Sequence, residues 1–298
     1  MKADSPIVVG VDGSAQSLDA VRWAADAAVH HRVPLLLVSS LLTAPGTFGD
    51  AVNLSAGAFT GVEYVGTQRL ATAAELARHS VRGAHLTLRT ALRHGSAVTA
   101  LLDAAKSARM LVVGSRGLGE FTGGLVGSVS SAVISHAACP VAVIRGMPEM
   151  DGPPLDGPVV VGVDGSPNSE PAIAAAFEEA SLRDVDLVAV HAWSDFSLLT
   201  VPPADLSDDE LLWSAIETTE QAVLSESLAG WKDKYPDVPV CKVVVRDRPV
   251  HHLLQQSQGA QLVVTGNRGR GGFTSLLLGS TSRALLHALT CPLLIVRR

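Results

Sequence analysis

The chain has 298 residues, of which 47% are hydrophobic, 17% charged and 4% aromatic. That composition is too apolar for a disordered chain, and the length gives a prior of two domains, each able to bury its own core. The net charge of −6 excludes a polycationic field for nucleic acid or an anionic membrane; residues 1–151 hold 12 Lys and Arg against 11 Asp and Glu, and residues 152–298 hold 11 against 18.

Residues 1–6 lead into an apolar run of only five residues, too short for a signal-peptide core, and no later run is long and apolar enough for a membrane span. The expectation is a cytoplasmic protein with no membrane insertion and no nucleic-acid partner. Cys139, Cys241 and Cys291 are odd in number and lack Cys-x-x-Cys spacing, which argues against a disulfide framework and a zinc site.

The first apolar, β-branched run is 7–11, followed by 35–39, 86–92, 111–114 and 141–145. Runs apolar on both faces read as buried parallel strands. Between the first two, Leu18, Val21, Ala25, Ala28 and Val29 recur with helical spacing behind Ser17, a candidate N-cap. Residues 41–61 are the longest stretch without periodicity, matched later by 193–207. Both follow the second strand of their half, at the carboxyl edge where open α/β sheets bind ligands.

The segment 146–157 places Gly or Pro at half of its twelve positions and reads as a linker. Beyond it the pattern returns: strand candidates fall at 159–163, 187–191, 240–245, 262–266 and 293–297. Val-Gly-Val-Asp-Gly-Ser at Val9 to Ser14 repeats at Val161 to Ser166, Gly114-x-x-Gly117 at Gly266-x-x-Gly269, Gly127-Ser128 at Gly279-Ser280, and Cys139-Pro140 at Cys291-Pro292, all offset by 152 residues. One offset held throughout implies a tandem duplication. The predicted organisation is a domain at 1–146, a linker at 147–157 and a second domain at 158–298, each reading β-α-β-α-β-α-β-α-β as an open sheet with helices on both faces.

The chemical signal is the spacing Gly-x2-Gly-x9-Gly-Ser, which starts at the end of a strand and ends at a helix over 129–136 or 281–287. Glycines there permit positive φ and close backbone approach, so successive N–H groups can line an anion site that the helix N-terminus completes. Ser128, Ser130, Ser280 and Ser282 can add hydroxyls. The structural alternative is a glycine-rich turn with Ser128 as an ordinary cap; retention of the whole spacing in both copies favours phosphate. Asp12 and Asp164 end the first strand of each copy, where a carboxylate accepts from ribose or a base, holds a metal-bound water, or merely closes a turn on its own backbone. Arg116 and Arg268 either reach a triphosphate or stay solvated.

There is no Gly-x4-Gly-Lys-Ser/Thr loop, and the first strand lacks Gly-x-Gly-x-x-Gly. The pairs His30-His31 and His251-His252 read as surface or boundary residues, His191 has Ser39 as its counterpart, and Cys139 and Cys291 read as buried apolar groups. No nucleophile elbow or general base accompanies the loop, so no catalytic residue is assigned.

These motifs, with the Cys-Pro-Val-x-Val and Cys-Pro-Leu-x-Ile last strands, resemble the universal stress protein family, and specifically its tandem-domain, ATP-binding members of mycobacteria and other actinobacteria. The resemblance covers the chain apart from the linker. It implies two Rossmann-like domains of the adenine nucleotide alpha hydrolase-like type, each a five-stranded parallel sheet in the order 3-2-1-4-5, with ATP and Mg²⁺ between strands 1 and 4. Carried over by position, Asp12 and Asp164 face the adenosine, and Ser40 and Ala192 supply backbone contacts to adenine. Phosphates fall to Gly114, Gly117, Gly127, Ser128 and Ser130 in the first copy, and to Gly266, Gly269, Gly279, Ser280 and Ser282 in the second.

The resemblance also implies a homodimer, antiparallel pairing of the two fifth strands, and regulation of stress response or growth through nucleotide-dependent conformation or an unidentified protein partner, with little or no catalysis. A slow ATPase or phosphotransferase, and a nucleotide-independent scaffold, are the alternatives. Glu120 lies inside the first loop where the second has Gly272. A carboxylate there repels triphosphate, so the second copy is expected to bind at least as tightly.

Overall fold

The computed structural model describes residues 5–41, 56–117, 126–145, 156–193, 210–269 and 278–297. Most of the expected linker, most of both long loops, and the Glu120 and Gly272 positions lie outside them. The chain divides into two compact units, Met1–Pro148 and Glu149–Arg298.

In the first unit the strands are β1 (Ile7–Gly10), β2 (Leu35–Leu41), β3 (Leu88–His94), β4 (Met110–Gly114) and β5 (Val141–Ile144), joined by α1 (Ala15–His31), α2 (Ala56–Ser80), α3 (Ala97–Ala105) and α4 (Ser128–His136). They form a parallel sheet in the order β3-β2-β1-β4-β5. Right-handed crossovers put α1 and α2 on one face and α3 and α4 on the other, because the chain moves outward past β2 first and then returns past β1 to β4. Contacts of α1 with α2, and of α3 with α4, agree. Ile7, Val8, Val9, Leu111 and Val112 are fully buried, as central parallel strands covered on both faces require.

The second unit repeats this with β6 (Val159–Val163), β7 (Leu187–Trp193), β8 (Val240–Arg246), β9 (Leu262–Gly266) and β10 (Leu293–Val296), and with α5 (Glu170–Arg183), α6 (Glu210–Ser227), α7 (Trp231–Lys234), α8 (Pro249–Gln256) and α9 (Ser280–Ala288). Its sheet is also parallel, in the order β8-β7-β6-β9-β10. In each unit the strand order reverses between β1 and β4, or β6 and β9, which opens a crevice at the carboxyl edge.

Two local readings are corrected. The cap of α1 is Ser14, not Ser17: the Ser14 hydroxyl accepts from the Ser17 N–H at 3.2 Å, and Ser17 lies inside the helix with its own hydroxyl donating to the Ser14 carbonyl at 2.8 Å. The buried face of α1 begins at Ser17, so the apolar period starts inside the helix, past its cap. Strand β3 begins and ends two residues later than 86–92. It follows its pairing with β2, from Leu35 opposite Leu88 to Leu41 opposite His94, and as an edge strand it exposes Arg89 and Arg93, so its apolar run does not mark its bounds.

Candidate functional site

Beyond the last residue of β1, Asp12-Gly13-Ser14 makes a tight turn in which Gly13 has φ +89°, a conformation that suits glycine. Asp12 Oδ1 accepts from the Ser14 N–H at 2.9 Å and from its hydroxyl at 2.6 Å. The second unit repeats this: Gly165 has φ +71°, and Asp164 Oδ1 accepts from the Ser166 N–H at 2.9 Å, from the Ser166 hydroxyl at 2.7 Å, and from the Ser169 hydroxyl. The turn-forming reading of these aspartates therefore holds for one carboxylate oxygen. The other is aimed away from the turn; Asp164 Oδ2 is buried with no hydrogen-bond partner. An ionised oxygen left so in the interior is costly unless a ligand donates to it.

The loop after β4 comes up against this carboxylate. A Cβ on Gly117 would overlap Asp12 Oδ2, and one on Gly269 would lie 2.9 Å from Asp164 Oδ2. At the loop's start, a Cβ on Gly114 would come 3.0 Å from the Gln16 backbone. None of Gly114, Gly117, Gly127, Gly266, Gly269 and Gly279 has positive φ. That part of the sequence expectation is corrected: the motif glycines supply space for neighbouring backbone and carboxylate, and left-handed geometry belongs to Gly13 and Gly165.

The far end of the loop is an uncapped helix. Gly127 and Gly279 are the N-caps of α4 and α9 and make no side-chain capping bond. Ser128 is thus the first residue of its helix, not its cap. The first turn closes only at Ser131, whose N–H donates to the Gly127 carbonyl at 2.9 Å, and at Arg283, which does the same to Gly279 at 2.9 Å. The N–H groups of residues 128–130 and 280–282 precede those bonds and are the donors a helix start leaves for an anion. The loop is braced by the Gly127 N–H to the Ser115 carbonyl and the Gly279 N–H to the Asn267 carbonyl, both 2.8 Å. The buried Ser130 hydroxyl donates to the Gly114 carbonyl at 2.7 Å, and Ser282 to Gly266 at 2.7 Å, so these protons are committed within the loop.

In the first unit these parts surround a cavity of about 550 Å³. Asp12, Ser40, Gly114, Gly117, Gly127, Ser128 and Ser130 all line it. The Ser40 hydroxyl donates to the Gly95 carbonyl at 2.6 Å. In the second unit, Asp164 follows β6, Ala192 is the penultimate residue of β7, Gly266 ends β9, and Gly269, Gly279, Ser280 and Ser282 follow in the arrangement described. Sequence reasoning missed the apolar walls, Val11, Val38, Val113, Ala97 and Leu101. Val11 lies within the repeated Val-Gly-Val-Asp-Gly-Ser segment, and the others sit on β2, β4 and α3 with nothing in the sequence to set them apart from core residues.

His191, fully buried on β7, is held between the Val163 carbonyl at 2.8 Å from Nδ1 and Glu220 Oε2 at 2.6 Å from Nε2. Its counterpart Ser39 is buried with no partner for its hydroxyl. Burial raises the Cys139 and Cys291 thiols from 9.0 to about 11, in line with apolar packing roles. Among the described residues no helix is long and apolar enough to cross a membrane.

The chain matches the model of the universal stress protein family twice, over residues 5–145 and 157–297. It is 42% identical over 302 aligned residues to a universal stress protein of Mycobacterium tuberculosis, covering 98% of this chain and 97% of the relative. A universal stress protein of Mycolicibacterium smegmatis is 41% identical over 305 residues, covering 98% and 96%. Among solved structures, a universal stress protein from Archaeoglobus fulgidus has a TM-score of 0.66 at 17% identity, covering 98% of this chain and 96% of that one, a likeness of fold. With both halves matched and near-complete alignment to mycobacterial relatives, the chain belongs to the universal stress protein family as a tandem-domain member.

Proposed function

We propose that each unit binds an adenine nucleotide, with ATP as the physiological ligand, and that occupancy regulates the chain's conformation or its affinity for a protein partner. The observation that carries this is the glycine-capped N-terminus of α4 facing the same cavity as Asp12. Uncapped N–H groups suit phosphate, and a carboxylate across the crevice suits the hydroxyl or amine donors of a nucleoside. The cavity's size falls within the range of small-molecule sites, and its Val and Leu walls suit a flat base. Asp164 Oδ2, buried without a donor, favours the same ligand class in the second unit.

Mg²⁺ would arrive with the triphosphate and supply charge neutralisation. Among the described residues no group of three or more His, Cys, Asp or Glu could hold a metal. Among the described lining residues the one carboxylate is Asp12, which suits an ion held chiefly by phosphate oxygens and water. Cytoplasmic location and a homodimer complete the reading. Denaturing the purified protein and identifying the released nucleotide by chromatography and mass spectrometry tests it; ATP or ADP is expected, and a nucleotide-free protein that gains no melting temperature from millimolar ATP would favour the scaffold alternative.

A further inference from the structure

The carboxyl ends of the fourth and fifth strands are tied together in both units. The Ser115 N–H donates to the Ile144 carbonyl at 2.7 Å, and the Asn267 N–H to the Val296 carbonyl at 2.8 Å. The next residue on each side of these bonds is an arginine: Arg116 and Arg145 in the first unit, Arg268 and Arg297 in the second. Arg116 lines the cavity, and Arg145 and Arg297 are half-buried. Burial, and then repulsion from Arg116, holds the Arg145 guanidinium below the usual arginine range; burial and then Arg268 do the same to Arg297. Two like charges brought together at a half-buried position oppose each other, and the duplication has kept that arrangement in both copies. An anion between them turns the repulsion into attraction.

Position along the sheet says which part of a ligand would meet them. Ser40, Asp12, Gly114 and Arg145 stand at the ends of β2, β1, β4 and β5, neighbouring strands in that order. At ~4.8 Å per strand they are spread over about 14 Å. A nucleotide whose nucleoside lies by β2 and β1, and whose first phosphate meets the glycine loop at β4, directs only its outer phosphates toward β5. A monophosphate ends short of it.

We propose that Arg145 with Arg116, and Arg297 with Arg268, form outer-phosphate subsites that make each unit select nucleoside polyphosphates over monophosphates. This rests on the nucleotide reading above and adds to it the residues that count phosphates. Arginine suits the task, since its planar fork binds phosphate oxygens in pairs.

The test uses the full chain, stripped of nucleotide, and measures Kd for ATP and AMP by calorimetry in the wild type, in Arg145→Gln/Arg297→Gln and in Arg145→Lys/Arg297→Lys. The wild type is expected to prefer ATP. The glutamine pair is expected to lose about tenfold in ATP affinity while AMP affinity stays within about twofold, with the lysine pair intermediate. The glutamine variant's nucleotide-free melting curve reports folding, and if it does not fold the lysine pair decides by the same ratio. An ATP-to-AMP ratio unchanged from wild type, or ATP and AMP affinities falling together, would overturn the arginine assignment and leave the nucleotide site standing. A wild-type chain that binds neither nucleotide would overturn both.

Discussion

Ser130 and Gly114, sixteen residues apart, are joined by a buried 2.7 Å hydrogen bond from hydroxyl to carbonyl, and Ser282 and Gly266 by its counterpart of the same length. The bond ties the first turn of the helix to the glycine that opens the loop. It makes these serines braces for the glycine loop, with their protons already used. Ser130→Ala and Ser282→Ala are each expected to lower stability by about 1 kcal/mol, read by denaturant unfolding without nucleotide. ATP affinity is expected to fall less than for loss of the glycine space below; a larger fall would make the hydroxyls direct phosphate ligands.

Gly117 and Gly269 leave room for the carboxylates of Asp12 and Asp164. In Gly117→Ala and Gly269→Ala the added methyl displaces a carboxylate oxygen or lifts the loop from the cavity. Each is expected to weaken ATP binding at its own site by about tenfold or more. The Gly269→Ala loss is expected to be at least as large, given Glu120 in the first loop and Gly272 in the second. Calorimetry on the two single variants decides the ranking, which a larger loss from Gly117→Ala would reverse.

His191 gives the second unit a brace that the first lacks. It satisfies the Val163 carbonyl, next to Asp164, and reaches Glu220 on α6. His191→Ser, which installs the residue of the first copy, leaves the Val163 carbonyl and Glu220 without their His191 partner and is expected to cost about 2 kcal/mol in chemical denaturation. Ser39→Ala removes a buried hydroxyl that has no partner, and is expected to be neutral or stabilising. A destabilised Ser39→Ala would contradict this.

The thiols should divide by burial. Cys241 is exposed, while Cys139 and Cys291 are buried. An aromatic disulfide reagent at neutral pH is expected to modify Cys241 quickly and the other two only after denaturation. The folded thiols ionise near 11 and the unfolded ones near 9.0, so the folded state keeps its protons longer. Stability is therefore full below about pH 9 and falls as pH rises toward 11, by up to about 3 kcal/mol per thiol. Replacing both by Ala is expected to flatten that alkaline decline.

The fold was legible because the central strands are apolar on both faces, as Ile7 to Val9 and Leu262 to Val264 illustrate, and because one offset duplicated every landmark. Edge strands were less legible: β3 alternates Leu88 and Leu92 with Arg89 and Arg93, so its ends are set by pairing to β2. Of the site, the glycines and aspartates were legible through spacing, but their reason was not. Only three-dimensional structure shows Gly117 yielding space to Asp12 and Ser130 bonded back to Gly114. Arg145 carried no motif, and its nearness to Arg116 arises from a strand pairing between residues far apart in sequence.

Nucleotide binding by both halves underlies the expected changes in ATP affinity. The most direct measurement is a calorimetric titration of the stripped full-length chain with ATP and Mg²⁺. Saturable binding approaching two ATP per chain, weakened by about tenfold or more in Gly117→Ala/Gly269→Ala, is the predicted result. No heat of binding, together with a melting temperature unmoved by millimolar ATP, would contradict it.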